Sequence, residues 1–382
     1  MQVTGSAKPK LEAASESEGS PVTLRILSLC IEQIVRNPEA LQRYRDPHGF
    51  LNRERRWVSM LAANPAARPD DLALCLALDG DTVVGRLGLY AGSAAYGGRT
   101  VRTFWLDGFW LDQNYRSTGA GAMLLLRAIS ACSSLLACGG PSKELQQLYT
   151  ACGFAQFGPL KRYLYFYRPG PLATYLVRPK AAVPLASAVA RPLLNLYYLS
   201  SRLLNRVPAK PSRAFRATVQ FGPDLDRLMS ARAGNHFPRD VATLNWALTF
   251  RRMWAFQIFR DETLVGYCLL KRLRLPGGGP HHLPPMDAGV LLDYYLSETE
   301  QSAKRDLVLF CLRFFAAQGV DLLEHQVHGR EMEQVCRSVG MVCRGGNKIY
   351  YRPPPGAEVP PSEEWFLPLA TADVILAGDE EG

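Results

Sequence analysis

No Asp or Glu occurs between Glu144 and Asp224, although that stretch holds Lys161, Arg162, Arg168, Arg178, Lys180, Arg191, Arg202, Arg206, Lys210, Arg213 and Arg216. These eleven charges exceed the net charge of +9 for all 382 residues, so the remainder carries −2. A field this one-sided favours an anionic partner, or else marks a solvated basic connector. Cysteine pairing is also lacking. The nine cysteines are odd in number and none falls in a Cys-x-x-Cys pair, so neither a disulfide framework nor a zinc site is indicated and reduced thiols in a cytosol fit best. Long apolar runs are missing too. Ala181 to Leu204 is apolar but broken by Pro184, Arg191 and Pro192, whereas a spanning helix needs about 20 uninterrupted apolar residues. An amphipathic connecting helix is expected there. The first apolar stretch, Val22 to Ile31, has no basic flank or small-residue cleavage site and does not read as a secretion signal.

What is present is the composition of a globular protein. Hydrophobic residues make up 47% and charged residues 21%, and the length suffices for two domains of ordinary size. Residues 1–21, rich in Ser, Glu, Ala and Lys, read as a disordered tail. Ile26, Ile31, Ile34 and Val35 recur at roughly helical spacing, and a second helix is expected after Phe50-Leu51-Asn52-Arg53, ending near Leu61 before a turn at Asn64-Pro65. From Leu72 the pattern changes. Leu72 to Leu78, Thr82 to Tyr90 and Val101 to Leu111 read as successive strands, with Asp79-Gly80-Asp81 as a hairpin turn.

The second half echoes the first. Val83-Val84-Gly85 returns as Leu264-Val265-Gly266, Leu106-Asp107 as Leu292-Asp293, and Tyr167-Arg168-Pro169 as Tyr351-Arg352-Pro353, at offsets of 181, 186 and 184 residues. Leu51-Asn52 and Leu244-Asn245 add a looser match at 193. The common order implies two copies of one α/β domain, with mixed sheets in tandem. The expected organisation is a tail over 1–21, a first domain over 22–170, a basic apolar linker over 171–216, a second domain over 217–354 and a C-terminal tail over 355–382.

Chemistry concentrates in Leu111 to Leu124, where a strand is expected to enter a tight turn and then a helix over Met123 to Leu136. The turn carries Arg116-x-x-Gly119-x-Gly121. Glycines let backbone approach a ligand closely, and a helix N-terminus with free N–H groups favours negative charge, which together make a pyrophosphate cradle. The spacing fits neither a Walker loop nor a full Gly-x-Gly-x-x-Gly turn. It resembles the acetyl-CoA motif of the GNAT superfamily, in which Arg or Gln precedes x-x-Gly-x-Gly or Ala. Many members have Pro where Gln113 stands and Gly where Ser117 stands, but neither change removes backbone donors. Ser142 to Phe154 resembles the family's later helix, which ends in Tyr-x-x-x-Gly-Phe, with Ser142 at a position usually held by Asn. The likeness covers about residues 72–169.

The resemblance implies an acyl-CoA-dependent N-acyltransferase, with acetyl-CoA as cosubstrate and no metal. It places the cofactor on Leu111, Arg116, Ser117, Thr118, Gly119, Ala120, Gly121, Ala122 and Ser142. It makes Tyr149 a proton donor to the departing thiolate, unless that residue is a core tyrosine. Asp107, flanked by Trp105, Phe109 and Trp110, is the general-base candidate, or else an acid hydrogen-bonded to a loop. Asp112 reads as a turn residue. In the second half no glycine lies between Gly289 and Gly319, and Ser297-Glu298-Thr299-Glu300 sets two acids where pyrophosphate would sit, so that half is expected to bind no CoA.

The expected acceptor is an amine on a small molecule or glycan precursor. The alternatives are an aminoacyl-tRNA-dependent transferase of the Fem type, which the intact cradle disfavours, and a non-catalytic binding protein. Nucleic acid is not the expected partner. The basic apolar linker suggests a cytoplasmic protein that rests on the anionic inner face of a membrane. His325-x-x-His328 and His281-His282 lack a completing ligand set, and Gly277-Gly278-Gly279-Pro280 is read as a flexible loop. Ser362 to Leu376 resembles the tail of double-GNAT proteins found with bacterial polysaccharide genes.

Overall fold

Strand-forming runs lie on both sides of the basic middle of the chain. The computed structural model describes residues 24–47, 60, 62–139, 142–170, 173, 180–205, 207–208, 210–230, 234–249, 253–275, 285–361 and 365–366. The first half runs β1 (Leu24–Cys30), α1 (Ile31–Arg36), a short 3-10 turn, β2 (Leu72–Asp79), β3 (Thr82–Tyr96), β4 (Arg99–Leu111), a second 3-10 turn, α2 (Ala120–Ala131), β5 (Leu135–Gly139), α3 (Lys143–Ala151) and β6 (Ala155–Phe166). Helix α4 (Val183–Leu204) follows. The second half has β7 (Ala214–Thr218), α5 (Pro223–Ser230), β8 (Asn235–His236), α6 (Val241–Ala247), β9 (Met253–Arg260), β10 (Thr263–Leu275), β11 (Met286–Leu296), α7 (Gln301–Ala317), β12 (Leu322–Val327), α8 (Arg330–Ser338), β13 (Val342–Arg352) and β14 (Trp365–Phe366). Two mixed α/β halves thus follow in tandem. The internal echoes fall on matching elements: Gly85 on β3 and Gly266 on β10, Asp107 on β4 and Asp293 on β11.

The halves share one sheet, in the order β1-β2-β3-β4-β5-β13-β6-β12-β11-β10-β9-β7. Its centre is an exchange. β13, from the end of the second half, pairs antiparallel with β5 from Lys348↔Gly139 to Arg352↔Leu135. β6, from the first half, pairs antiparallel with β12 from Leu322↔Phe166 to Val327↔Lys161. β6 and β13 also pair with each other. Each half therefore completes its sheet with the other's last strand. Tyr351 of β13 is fully buried in the first half's core, where its hydroxyl accepts a hydrogen bond from Ser134 Oγ at 3.1 Å.

Three expectations need correction. Ile26 lies on β1 and not on a helix, because Leu24 to Leu29 pair antiparallel with Asp79 to Leu74, and the backbone ladder to an apolar neighbour outweighs the spacing of the isoleucines. Only Ile31 and Ile34 turn a buried helical face inward. The helix after the glycine turn starts at Ala120 and stops at Ala131, while Leu135 and Leu136 are buried on β5 between β4 and β13. β7 begins at Ala214, inside the stretch read as linker. The hairpin at Asp79-Gly80-Asp81 is present, with Asp79 opposite Thr82 and Gly80 left-handed at φ +57°. The 1–21 tail, the helix expected after Phe50 (Met60 apart), Gly277–Pro280, His281-His282 and most of Ser362–Leu376 lie outside the described residues.

The exchange makes neither half self-sufficient. A fragment ending at residue 205 would leave β5 and β6 without β13 and β12, and is expected to melt without a cooperative transition by circular dichroism. Co-expression with residues 206–382 should restore the transition. A cooperative melt of the fragment alone would contradict the exchange.

Candidate functional site

The site begins where two strands part. β4 and β5 pair in parallel only at Phe104↔Leu135 and Trp105↔Leu136. β4 continues to Leu111 against β3 alone, with a register irregularity between Arg86 and Gly88 and a left-handed Gly108 at φ +54°. Beyond Trp105, no described strand pairs with β4 on the side away from β3.

At the end of β4 the chain turns sharply. Asp112 Oδ1 accepts from Asn114 N at 2.8 Å, which starts the 3-10 turn Gln113–Thr118. Asp112 is thus a turn residue, as expected. Tyr115 OH donates to Asp79 Oδ2 at 2.6 Å and ties the turn to the β2–β3 hairpin. Gly119 then adopts φ +81°, a conformation that a Cβ disfavours, and α2 begins at Ala120. The opening amides of a helix have no intrahelical acceptor, so Gly121 and Ala122 present N–H groups at this end. Across the gap, Ser142 caps α3 by accepting from Leu145 N at 3.3 Å. Two helix N-termini therefore face one cleft of about 800 Å³, lined by Phe109, Trp110, Leu111, Arg116, Gly119, Gly121, Ala122, Ser142, Glu144, Leu145 and Leu148. The Ser142 hydroxyl, the Glu144 backbone N–H and then the Arg116 and Lys143 charges hold the Glu144 carboxyl below its usual range.

Leu111, Arg116, Gly119, Gly121, Ala122 and Ser142 come together on this cleft. Ala120 is buried beneath it, while Ser117 and Thr118 are exposed in the 3-10 turn, where Thr118 Oγ1 donates to Tyr115 O at 2.7 Å. Phe109, Trp110, Leu145 and Leu148 are cleft residues that the sequence reading did not assign. The i, i+3 spacing of Leu145 and Leu148 on α3 is the signal that would have found the helical pair. Tyr149 is buried, its ring 5.0 Å from Phe154 and 5.1 Å from Tyr350. Asp107 is half-buried on β4 opposite Gly88, and no hydrogen bond or ion pair to its carboxylate comes from the described residues.

A second cavity of about 240 Å³ lies between the halves, with Tyr90 and Trp105 from the first and Arg239, Trp246 and Asp293 from the second on its wall. The Arg239 guanidinium lies 5.5 Å from the Trp105 ring centroid, and its Nε is 3.4 Å from the buried carboxylate of Asp293. Tyr267 OH also donates to Asp293, at 3.3 Å.

The equivalent turn of the second half is filled by the protein itself. Arg213 Nε lies 2.5 Å from Glu298 and its Nη1 2.9 Å from Asp306, while Arg260 Nη1 lies 2.8 Å from Glu298. Both arginines approach Glu300, the N-cap of α7, at 3.6 Å. The two acids are therefore not a bare negative charge, as the sequence suggested, but half of a partly buried ion-pair cluster. Burial opposes ionisation of Glu298, yet hydrogen bonds from Arg260 and Arg213 outweigh it and hold the carboxyl below its usual range. Among the described residues, no three His, Cys, Asp or Glu side chains gather in a metal-binding arrangement.

Residues 35–154 match the model of the acetyltransferase (GNAT) family. No curated protein matches the sequence. Among solved structures, N-myristoyltransferase of Saccharomyces cerevisiae with bound myristoyl-CoA aligns with a TM-score of 0.54 at 9% identity, over 94% of this chain and 92% of that one. The glucosamine N-acetyltransferase region of a fungal multi-domain β-N-acetylglucosaminidase gives 0.50 at 10% identity, over 87% of this chain and 38% of that one. A GCN5-related N-acetyltransferase from Anabaena variabilis gives 0.48 at 13%, over 86% and 72%. At such identities the likeness concerns the fold, and with the myristoyltransferase it extends over both halves.

The parting of β11 and β12 yields a pH prediction. Their pairing ends at Leu291↔His325, the counterpart of Trp105↔Leu136. His325 is buried, neither ring nitrogen has a hydrogen-bond partner among the described residues, and burial pushes its pKa down to about 3. The unfolded chain takes up this proton near pH 6.5, so below that value protons favour unfolding, by about 1.4 kcal/mol per pH unit until about pH 3. Between about pH 7 and about pH 5, urea unfolding should show the wild type losing about 2 kcal/mol more than His325→Leu. Equal losses would show that His325 is not held neutral.

Proposed function

On the premise that residues 35–154 form an acyltransferase domain of the GNAT family, we propose that this protein transfers an acyl group, acetyl first among candidates, from acyl-CoA to an amine of a small molecule or glycan precursor. The observation that carries this reading is the parting of β4 from β5 beside two open helix N-termini. The amides of α2 and the Arg116 guanidinium suit the CoA pyrophosphate. The apolar wall of Leu111, Leu145 and Leu148 suits the pantetheine chain, and the β4 backbone beyond the last pairing with β5 suits the carbonyl oxygen as it gains charge.

In the reaction the neutral amine nitrogen bonds to the thioester carbon. The C–S bond then breaks, the sulfur leaves with the electron pair, and the nitrogen gives up a proton. We assign the proton acceptor to Asp107 and the proton donor for the thiolate to Tyr149.

The cavity between the halves is the acceptor site in this reading. Its volume of about 240 Å³ lies just below the usual small-ligand range of roughly 300–1,000 Å³, which favours a compact amine. The second half then completes the acceptor pocket and takes no CoA of its own. A tRNA-dependent reading loses support because Lys161, Arg162, Arg213 and Arg216 are paired internally with Glu333, Glu324, Glu298 and Glu262.

Release of free thiol from acetyl-CoA over a panel of amines tests the activity directly; no release with any amine would contradict it. A Cβ at position 121 would sit 3.5 Å from Leu111 and 3.6 Å from Phe109, ordinary contacts, so Gly121→Asp should fold. Its carboxylate would face the pyrophosphate, and CoA affinity should fall by about 100-fold. Unchanged affinity in the folded variant would remove the cradle. Tyr149→Phe should lower turnover by about 100-fold with CoA affinity nearly intact, and Asp107→Asn should flatten the acidic limb of the pH–rate profile. Wild-type rates would mean that other groups move the protons.

A further inference from the structure

Helix α4 carries its apolar residues on the wrong side for a solvated helix. Its inner face is set by Tyr198, whose ring stacks on Tyr165 at 3.9 Å and whose hydroxyl accepts from Phe166 N at 3.0 Å, and by Ser201, which donates to Arg337 O at 3.2 Å. The opposite face holds Leu185, Val189, Leu193, Leu196, Leu199 and Leu203. Their intervals of 4, 4, 3, 3 and 4 follow the helical period, and they are 52–71% exposed. This is one apolar stripe along a helix of 22 residues, about 33 Å long at 1.5 Å per residue. No described helix is long and apolar enough to cross a membrane.

A basic groove borders α4. Between the end of β6 and the first half of α4 lies a groove of about 300 Å³, walled by Tyr167, Arg168, Ser187 and Arg191. Arg168 and Arg191 are exposed and have no acidic partner among the described residues, and exposed Lys210 lies beyond the helix. No acid interrupts the sequence from residue 145 to residue 223. Of the described cations in this stretch, Lys161, Arg162, Arg213 and Arg216 pair with acids, whereas Arg168, Arg191 and Lys210 do not.

We propose that α4 lies flat in the interfacial layer of an anionic phospholipid membrane, with its leucine stripe among the acyl chains and the Arg168–Arg191 groove receiving a lipid phosphate. An apolar face with a cationic flank is what such a surface selects. A second copy of the chain would cover the leucines but leave the cations of the groove without an anionic partner. The proposal does not depend on acyl transfer.

The test is co-sedimentation of the full chain with vesicles of phosphatidylcholine alone or of equal parts phosphatidylcholine and phosphatidylglycerol. At low salt, pelleting with the anionic vesicles should exceed that with neutral ones by about tenfold or more and should fall steeply as salt is raised. Leu193→Glu/Leu196→Glu should reduce pelleting to background. Arg168→Gln and Arg191→Gln should each lower partition about fivefold. All these positions are exposed, and unchanged thermal melting identifies folded variants. Equal pelleting with both vesicles, none with either, or wild-type pelleting by the leucine variant would overturn the proposal. So would a dimer that ignores vesicles and dissociates in the leucine variant, which would make the stripe an interface between copies.

Discussion

The structure depends on the reciprocal placement of β6 and β13. Each strand completes the sheet of the half to which it does not belong in sequence, and the two pair with each other at the centre. Backbone hydrogen bonds buried in a sheet must be satisfied, so neither half keeps its central edge without the other. The consequence reaches the site. β5, one wall of the parting that opens the cleft, is held on its other side by β13, and Tyr350 of β13 packs on Tyr149. The cavity between the halves, with Trp105 against Arg239 and Asp293, draws its wall from both parts of this sheet.

The two halves treat the helix N-termini that follow β4 and β11 in opposite ways. The first leaves the start of α2 open, with a left-handed glycine and a small residue at each following position. The second seals the start of α7 with Glu298 and Glu300, neutralised by Arg213 and Arg260. Partly buried ion pairs of this kind add little net stability but leave costly charges behind when one partner is lost. They occupy the second N-terminus with fixed charge, as a bound anion would. In the reading proposed above, one fold carries one open anion site, and the sealed half shapes the pocket beside it.

Much of this is legible in the sequence because local chemistry dictates it. The turn at Gly119 needs a residue that tolerates positive φ, the hairpin at Gly80 likewise, and the runs from Leu72 to Leu111 read as strands. The recurrence of Leu106-Asp107 as Leu292-Asp293 falls on β4 and β11, one strand in each half. What escapes the sequence is non-local. Nothing within β6 or β13 says which half each will join, since both present strands of similar polarity to similar edges. Ile26 is drawn into β1 by a ladder to residues about fifty positions away. Arg213 reads as one more charge of a basic linker, although its partners Glu298 and Asp306 lie 85 and 93 residues further along the chain. The leucines of α4 read as an apolar segment, and only the fold shows which of them face outward.

The account rests most heavily on one open cofactor site and one sealed one. Calorimetric titration of the full chain with CoA tests this directly. One CoA bound per chain is the predicted result. Two bound per chain, or none, would contradict it, because the first would open the Arg213–Glu298 cluster to ligand and the second would close the parting of β4 and β5.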